Sequence, residues 1–449
     1  MQDAPDSTWP TRFTRHDGGM TRVLLIISSQ TYRAAAFLDA GRRIGAEIVT
    51  ASDEPQALAH VMGDRFLLAH LDDPQRCCEE IVAFASRSSL DAIVAVDDIG
   101  AVGAARAANE LGLRTHSPQA VEASKDKEAT RRLFGNAGVP QPRFSLLTTQ
   151  SDNDARKLAN EIGYPLIVKP CCLSGSRGVI RVDQPAGLLG AIRRVQAIVT
   201  DATKGADTRV LIESYVEGDE VAIEAIVRSG HLELLAVFDK PDPLCGPYFE
   251  ETIYVTPSRH SQVVQDLVYE AVASACRALG LREGPVHAEA RIRQHVRSTQ
   301  GLDATEDIVV LEVAARTIGG RCGKTLSFVG HKTLEELVLA HALGLSDNAP
   351  TPPLIGASGV MMLPIPRSGR LEAVKGRKKA LGVNGITGLE VTIPPGRYVR
   401  ALPEGDRYLG FLFANGATPK TVEDALRAGY AALDIQISEF DLARTKVTA

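Results

Sequence analysis

The 449-residue sequence contains a single tryptophan, and aromatic residues make up only 5% of it. No apolar run is long enough to span a bilayer, and residues 1–19, "MQDAPDSTWPTRFTRHDGG", lack the apolar centre of a signal peptide. There are seven cysteines, two pairs of them adjacent (Cys77-Cys78 and Cys171-Cys172), but no CxxC and no Cys/His spacing suited to zinc. Scattered thiols without a signal peptide indicate a reducing, cytoplasmic setting. A basic excess is also missing. The net charge of -5 gives neither nucleic acid nor an anionic membrane a reason to be the main partner. No GxGxxG follows the first strand-like run, which argues against a dinucleotide site there.

What is present is an apolar fraction of 44%, ordinary for a soluble enzyme, on a chain long enough for two to four domains. The first strand-like run, "RVLLII", begins just after Met20, so residues 1–20 read as a disordered leader, or Met20 as the true start. Residues 21–118 alternate strand and helix, which predicts an α/β domain with a parallel sheet. Residues 119–348 form a second domain. It opens with "SKDKEATRRLFGNAGVP", read as a serine-capped helix ending at Gly138, and carries a glycine-loop part over about 125–210. After "NAPTPP", residues 349–449 are rich in Gly, Pro and β-branched residues and read as a small β-rich lobe with one late helix.

Chemistry concentrates in the middle domain. "YPLIVKPCCLSGSRGV" is a strand that runs through Lys169 into a glycine- and serine-rich loop. Such a loop frees backbone N–H groups to cradle phosphate oxygens; because the lysine precedes the loop, this is not a GK[ST] P-loop. A tight turn beside a surface lysine is the bland alternative. About forty residues on, "LIESYVEGDE" sets Glu213 and Glu220 across an apolar strand and a Gly-Asp turn. One carboxylate suits a purine amino group and the other two ribose hydroxyls, although two solvated acids beside a turn would look the same. In "VHAEARI", alternation places His287, Glu289 and Arg291 on one face. In "VVLEVAAR" it places Val310, Glu312 and Ala314 together, with Leu311 and Val313 pointing away. If these strands pair, Glu289 and Glu312 lie side by side, and adjacent carboxylates call for a cation. Oxygen-only ligation fits Mg²⁺ with nucleotide phosphates.

Taken in order, these stretches resemble the ATP-grasp superfamily of carboxylate–amine ligases, and most closely its L-amino-acid (dipeptide-forming) ligase branch. The resemblance covers roughly residues 22–345 and extends to the C-terminal β lobe. It implies an ATP-grasp fold, with ATP and Mg²⁺ (Mn²⁺ as an alternative) bound between its lobes. Lys127 and Lys169 would contact phosphate, and Ser174, Gly175, Ser176, Arg177 and Gly178 would form the loop closing over it. Glu213, the backbone around Tyr215 and Val216, and Glu220 would hold adenosine; Glu289 and Glu312 would hold the metal. Arg316 would steady an acyl phosphate, Glu251 in "FEETIYVTP" would lie near the amine, and Gly319 and Gly320 near the acyl group. Many members read Glu-x-Asn-x-Arg at the metal, whereas "EVAAR" has Ala314 at the asparagine position, which puts metal affinity in question.

The expected activity is ATP-dependent joining of a carboxylate, an amino acid by resemblance, to an amine, with ADP and phosphate released. His287 reads as structural rather than as a base, and His331 and His341 are given no role. Two alternatives stay open: a bicarbonate-using carboxylase of the same superfamily, and an ATP-binding module without turnover. The expected partners are small molecules, with a homodimer as the default assembly.

Overall fold

In the computed structural model, the residues described are 20–55, 63–149, 151–293, 307–345 and 356–439. The leader expected over residues 1–20 lies outside them, save Met20. The unbroken apolar run after Met20 forms β1 (Arg22–Ile26), buried along its whole length. It lies between β2 (Glu47–Ser52) and β4 (Ala92–Ala95), and with β3 (Phe66–Leu68) completes a parallel sheet of order β3-β2-β1-β4. Val23 and Leu25 face α1 (Ala34–Ile44), while Leu24 and Ile26 pack with α2 (Pro74–Ala85) and α3 (Ala101–Glu110). Helices on both faces explain why β1 carries no polar residue after Arg22. Cys77 and Cys78 are part of this core.

The helix expected to begin at the serine of "SKDKEATRRLFGNAGVP" starts instead at Lys127, because Ser124 belongs to the end of a preceding helix. Ser117 caps α4 (Pro118–Lys125), and Asp126 breaks the run and caps α5 (Lys127–Ala137) by accepting the N–H groups of Glu128 and Ala129. Aspartate is among the best N-caps, and here it wins over continuation of the helix. The glycine-loop part follows as β5 (Phe144–Leu147), α6 (Asp152–Ile162), β6 (Leu166–Pro170), β7 (Ile180–Val182), α7 (Pro185–Thr203) and β8 (Val210–Ser214). Its antiparallel sheet, of order β5-β8-β6-β7, is backed by both helices.

The remaining strands are β9 (Asp219–Arg228), β10 (His231–Lys240), β11 (Ile253–Thr256), β12 (Gly284–Ile292), β13 (Ile308–Ala314), β14 (Ala357–Leu363), β15 (Gly369–Lys375), β16 (Ile386–Val391), β17 (Tyr398–Val399), β18 (Gly410–Gly416) and β19 (Asp434–Ser438). The helices among them are α8 (Gln262–Leu279), α9 (Leu334–Ala342), α10 (Arg377–Leu381) and α11 (Pro419–Ala431). The β-rich lobe is not a separate sheet. Strand β14 pairs with β11, so one sheet of order β13-β12-β9-β10-β11-β14-β18-β16 runs from the middle domain into the lobe. Strands β17, β15 and β19 form a small sheet of their own. Among the described residues no helix is long and apolar enough to cross a membrane.

The alternation expected along β12 is observed: His287, Glu289 and Arg291 face a cavity, while Val286, Ala288 and Ala290 are fully buried on the other side. Along β13 it fails. The register steps from Glu289↔Glu312 to Ala290↔Val310, leaving Leu311 as the extra residue of a bulge. Leu311 and Glu312 therefore both face the cavity, and Val310 joins Val313 in the core rather than sharing a face with Glu312. A bulge re-aims a side chain in this way, and no periodicity argument anticipates it.

Candidate active site

A cavity of about 810 Å³ lies between the parallel-sheet domain, the glycine-loop sheet and the long antiparallel sheet. At the end expected to take nucleotide, Lys169 on β6 is buried, with its Nζ 2.6 Å from Glu213 Oε2 on β8. The other oxygen of Glu213 accepts from Arg131 Nε at 2.6 Å, and Arg131 also donates to the Leu311 carbonyl at 2.7 Å. Burial pushes Lys169 down to about 8, against the pull of Glu213. Glu213 is held below the usual carboxylate range because Arg131 and Lys169 outweigh its burial. Both Glu213 oxygens thus meet a cation, so its first task is to fix the lysine. Sequence reasoning missed Arg131. Its position four residues after Lys127, on the same helix face, was the available signal.

Of the five loop residues expected at phosphate, Ser174, Gly175 and Ser176 line the cavity. Gly175 (φ 64°) and Ser176 (φ 55°) take left-handed backbone, the conformation that turns successive N–H groups inward. Arg177 and Gly178 do not line it. Gly178 donates its N–H to the Pro403 carbonyl at 2.9 Å, and Arg177 turns to Asp201 at 3.6 Å. These two tie the loop to its surroundings instead. Lys127, first residue of α5, reaches the Leu173 carbonyl at 2.7 Å and Glu312 at 3.2 Å.

Glu289 and Glu312 are cross-strand partners, and Ala314 sits opposite His287. His287 places Nδ1 3.3 Å from the Ile223 carbonyl and Nε2 3.6 Å from Glu289. Among the described residues, no three His, Cys, Asp or Glu side chains gather into a metal-holding group. Two adjacent carboxylates without a third ligand still suit Mg²⁺, which is characteristically bound by one or two carboxylates together with substrate phosphates and water. Glu220, expected at the ribose, contacts Lys240 (2.7 Å) and Arg291 (2.9 Å). Tyr215 is flanked by Arg181 and Arg291, whose guanidinium carbons lie 4.2 and 5.2 Å from its ring centroid.

The other end is assembled from distant parts of the chain. Arg316 is gripped by both oxygens of Asp98, at 2.7 and 3.0 Å, from the loop after β4. Burial alone would raise Asp98, but Arg316, Lys125 and the Ser174 hydroxyl hold it far below the carboxylate range. Gly320 takes left-handed backbone (φ 59°) and donates to the Tyr32 hydroxyl at 2.8 Å; a β-carbon there would lie 2.9 Å from Met362 Sδ. Behind this turn the fully buried Glu224 accepts the Ile318 N–H at 2.9 Å, and burial raises it well above the usual range. Of the two acids in "FEET", Glu250 accepts the Ile365 N–H in the C-terminal lobe at 3.2 Å. Glu251 faces the cavity and accepts from the Tyr408 hydroxyl at 2.8 Å. Asp98, Tyr32, Glu224 and Tyr408 carried no signal in the sequence, since nothing local marks a residue whose partner is 94 to 288 positions away.

Comparison with known proteins agrees with this architecture. Residues 38–115 match the ATP-grasp N-terminal domain, 162–325 the ATP-grasp domain, and 361–438 the L-amino acid ligase C-terminal domain 2. The chain thus carries an ATP-grasp domain between an ATP-grasp N-terminal domain and a C-terminal domain of the L-amino acid ligase type. It is 29% identical over 251 residues to an alanine–anticapsin ligase of Bacillus amyloliquefaciens, covering 52% of each chain. It is 30% identical over 164 residues to a D-alanine–D-alanine ligase of Desulforudis audaxviator, covering 35% of this chain and 51% of the other. The chain spans about half the length of the curated relatives it matches. In fold it is similar to the L-amino acid ligase of Bacillus licheniformis (TM-score 0.76, 21% identity, 93% of this chain and 99% of that one). It is also similar to the N5-carboxyaminoimidazole ribonucleotide synthetase of Thermotoga maritima (TM-score 0.66, 17% identity, 93% and 100%).

Proposed function

We propose that the protein is an ATP-dependent ligase that joins the carboxylate of one amino acid to an amine, most simply that of a second amino acid. The observation that carries this reading is the continuity of one cavity, from Lys127 and Lys169 past Glu289 and Glu312 to Arg316 and the Gly319-Gly320 turn. A carboxylate is a poor electrophile. In the proposed sequence its oxygen takes the γ-phosphoryl group of ATP and ADP leaves; the amine nitrogen then attacks the acyl carbon, the C–O bond to phosphate breaks, and the amine gives up a proton. Phosphoryl transfer is mainly a matter of positioning and charge. Lys127 and Lys169 supply positive charge, and the loop at Ser174–Ser176 supplies N–H groups and excludes water. Mg²⁺ carried with ATP would be held by Glu289 and Glu312 and would offset phosphate charge. Arg316, aimed by Asp98, and the N–H groups near Gly319 suit the oxyanion on the acyl carbon. Glu251 suits the ammonium of a substrate. Small-molecule substrates, a cytoplasmic setting and a homodimer complete the reading.

The test is phosphate release from Mg-ATP across single and paired amino acids, with mass spectrometry of the products. A condensed product with ADP in equal amount is expected, and Glu312→Ala should reduce both by ~10²–10³, the usual size of losing one charge-stabilising group. Bicarbonate-dependent phosphate release without any amino acid, or ATP binding with no condensed product from any pair, would overturn the reading.

A further inference from the structure

Lys240, the last residue of β10, has a side chain only 3% exposed and is absent from the cavity wall. Its Nζ lies 2.7 Å from Glu220 Oε1, 2.7 Å from Glu289 Oε1 and 3.5 Å from Glu251 Oε1, and 4.9 Å from the centroid of the Tyr254 ring. The three acids come from β9, β12 and the segment before β11, and in the reading above they belong to the ribose, the metal and the amine. Their remaining oxygens are not equivalent. Glu220 Oε2 is taken by Arg291, and Glu251 Oε2 by Tyr408. Glu289 makes its described contacts, to Lys240 and His287, through Oε1. Its second oxygen is the one left for a ligand.

Three carboxylates converging on one point repel one another and attract any divalent ion in solution. A metal bound there would sit between ribose and amine, away from the phosphates. An ammonium at the same point satisfies all three acids and leaves no room for it. We propose that Lys240 is a resident counter-ion that keeps divalent metal out of the Glu220–Glu251–Glu289 junction, so that metal enters only with the nucleotide, at Glu289 and Glu312. Lys240 is thereby a positioning residue: it acts through the three carboxylates and touches no substrate. This proposal rests on the ATP-binding part of the functional reading, but its test does not require turnover.

The experiment is a Mn²⁺ titration of the full chain at pH 8 without nucleotide, followed by electron paramagnetic resonance, for wild type, Lys240→Met and Lys240→Arg. Wild type and Lys240→Arg should bind no Mn²⁺ tightly. Lys240→Met should gain one nucleotide-independent ion per chain, at least about tenfold tighter than any wild-type binding, and Mn²⁺ should raise its thermal stability alone. Nucleotide-independent binding of Mn²⁺ by wild type at the same affinity would overturn the proposal, as would a folded Lys240→Met that gains none. Should Lys240→Met fold only when Mn²⁺ is present, the ion is standing in for the ammonium and the proposal holds. Should it fold under neither condition, the wild-type titration still decides: a tight ion without nucleotide refutes it. Failure of the ligase reading would show separately, as absence of product from an enzyme with these same metal-binding properties.

Discussion

The two ends of the cavity are built differently. At the end proposed for nucleotide, charge is buried and paired at short range within one domain: Arg131, Glu213 and Lys169 form a cation–carboxylate–cation row with both contacts at 2.6 Å. At the end proposed for the amine, contacts join residues far apart in sequence: Asp98 to Arg316, Tyr32 to Gly320 and Tyr408 to Glu251. A nucleotide presents much the same phosphates and ribose to any enzyme, so a rigid, preformed site suits it. In the proposed reading the other end has an amine to discriminate, and its walls come from whichever loops the sheet brings near. On that reading, sequence variation at the second end alters specificity without disturbing ATP binding.

The sharpest way to break this contrast is Arg131→Leu. It leaves Glu213 with one cation and the Leu311 carbonyl without its donor, so stability should fall by about 3–5 kcal/mol, as when a buried pair loses a partner. Thermal unfolding measures it, and an unchanged Tm would mean that the row is not a structural unit. Next in size is an acid response at the seam between the parallel-sheet domain and β12. Burial pushes His116, whose Nδ1 accepts the N–H groups of Arg282 and Glu283, down to about 4, and His341 down to about 3. Unfolded histidine takes its proton near 6.5, so the unfolded state binds protons first as the pH falls. Stability present above pH 6.5 should be lost on the way to pH 4, by roughly 3 kcal/mol for His116. Denaturant midpoints from pH 7 to 4 test this, and His116→Gln should flatten the curve. The smallest effect sharpens the contrast from the other side. Tyr408→Phe removes one hydrogen bond, worth about 1 kcal/mol, so KM for the amine should rise about fivefold while KM for ATP stays put. Equal changes in both would show that the two ends are not separable.

The alternation of "VHAEARI", the lysine before the glycine loop and the spacing of Glu213 and Glu220 were legible in the sequence, because each is local: a strand's period and a loop's composition follow from covalent geometry. So was the parallel sheet, since βαβ alternation allows little else. The β13 bulge was not legible. It depends on which residues β12 offers as partners, and it changes which face Val310 and Leu311 take. Nor were Arg177 and Gly178 separable from the other loop residues, because the Pro403 carbonyl that claims the Gly178 N–H arrives from the C-terminal lobe. Lys240 looked like any strand-end lysine. Its three carboxylates converge only because β12, β9, β10 and β11 are neighbours in one sheet.

The sequence by itself therefore determined the parallel α/β domain, the glycine loop with its lysine and the strand acids that line the cavity, since these need only short-range periodicity and composition. Tertiary structure alone decided which charges pair, that the C-terminal lobe continues the central sheet through β11 and β14, and that Asp98, Tyr32 and Tyr408 reach the end proposed for the amine. Those outcomes depend on contacts between segments whose separation along the chain carries no information about their separation in space.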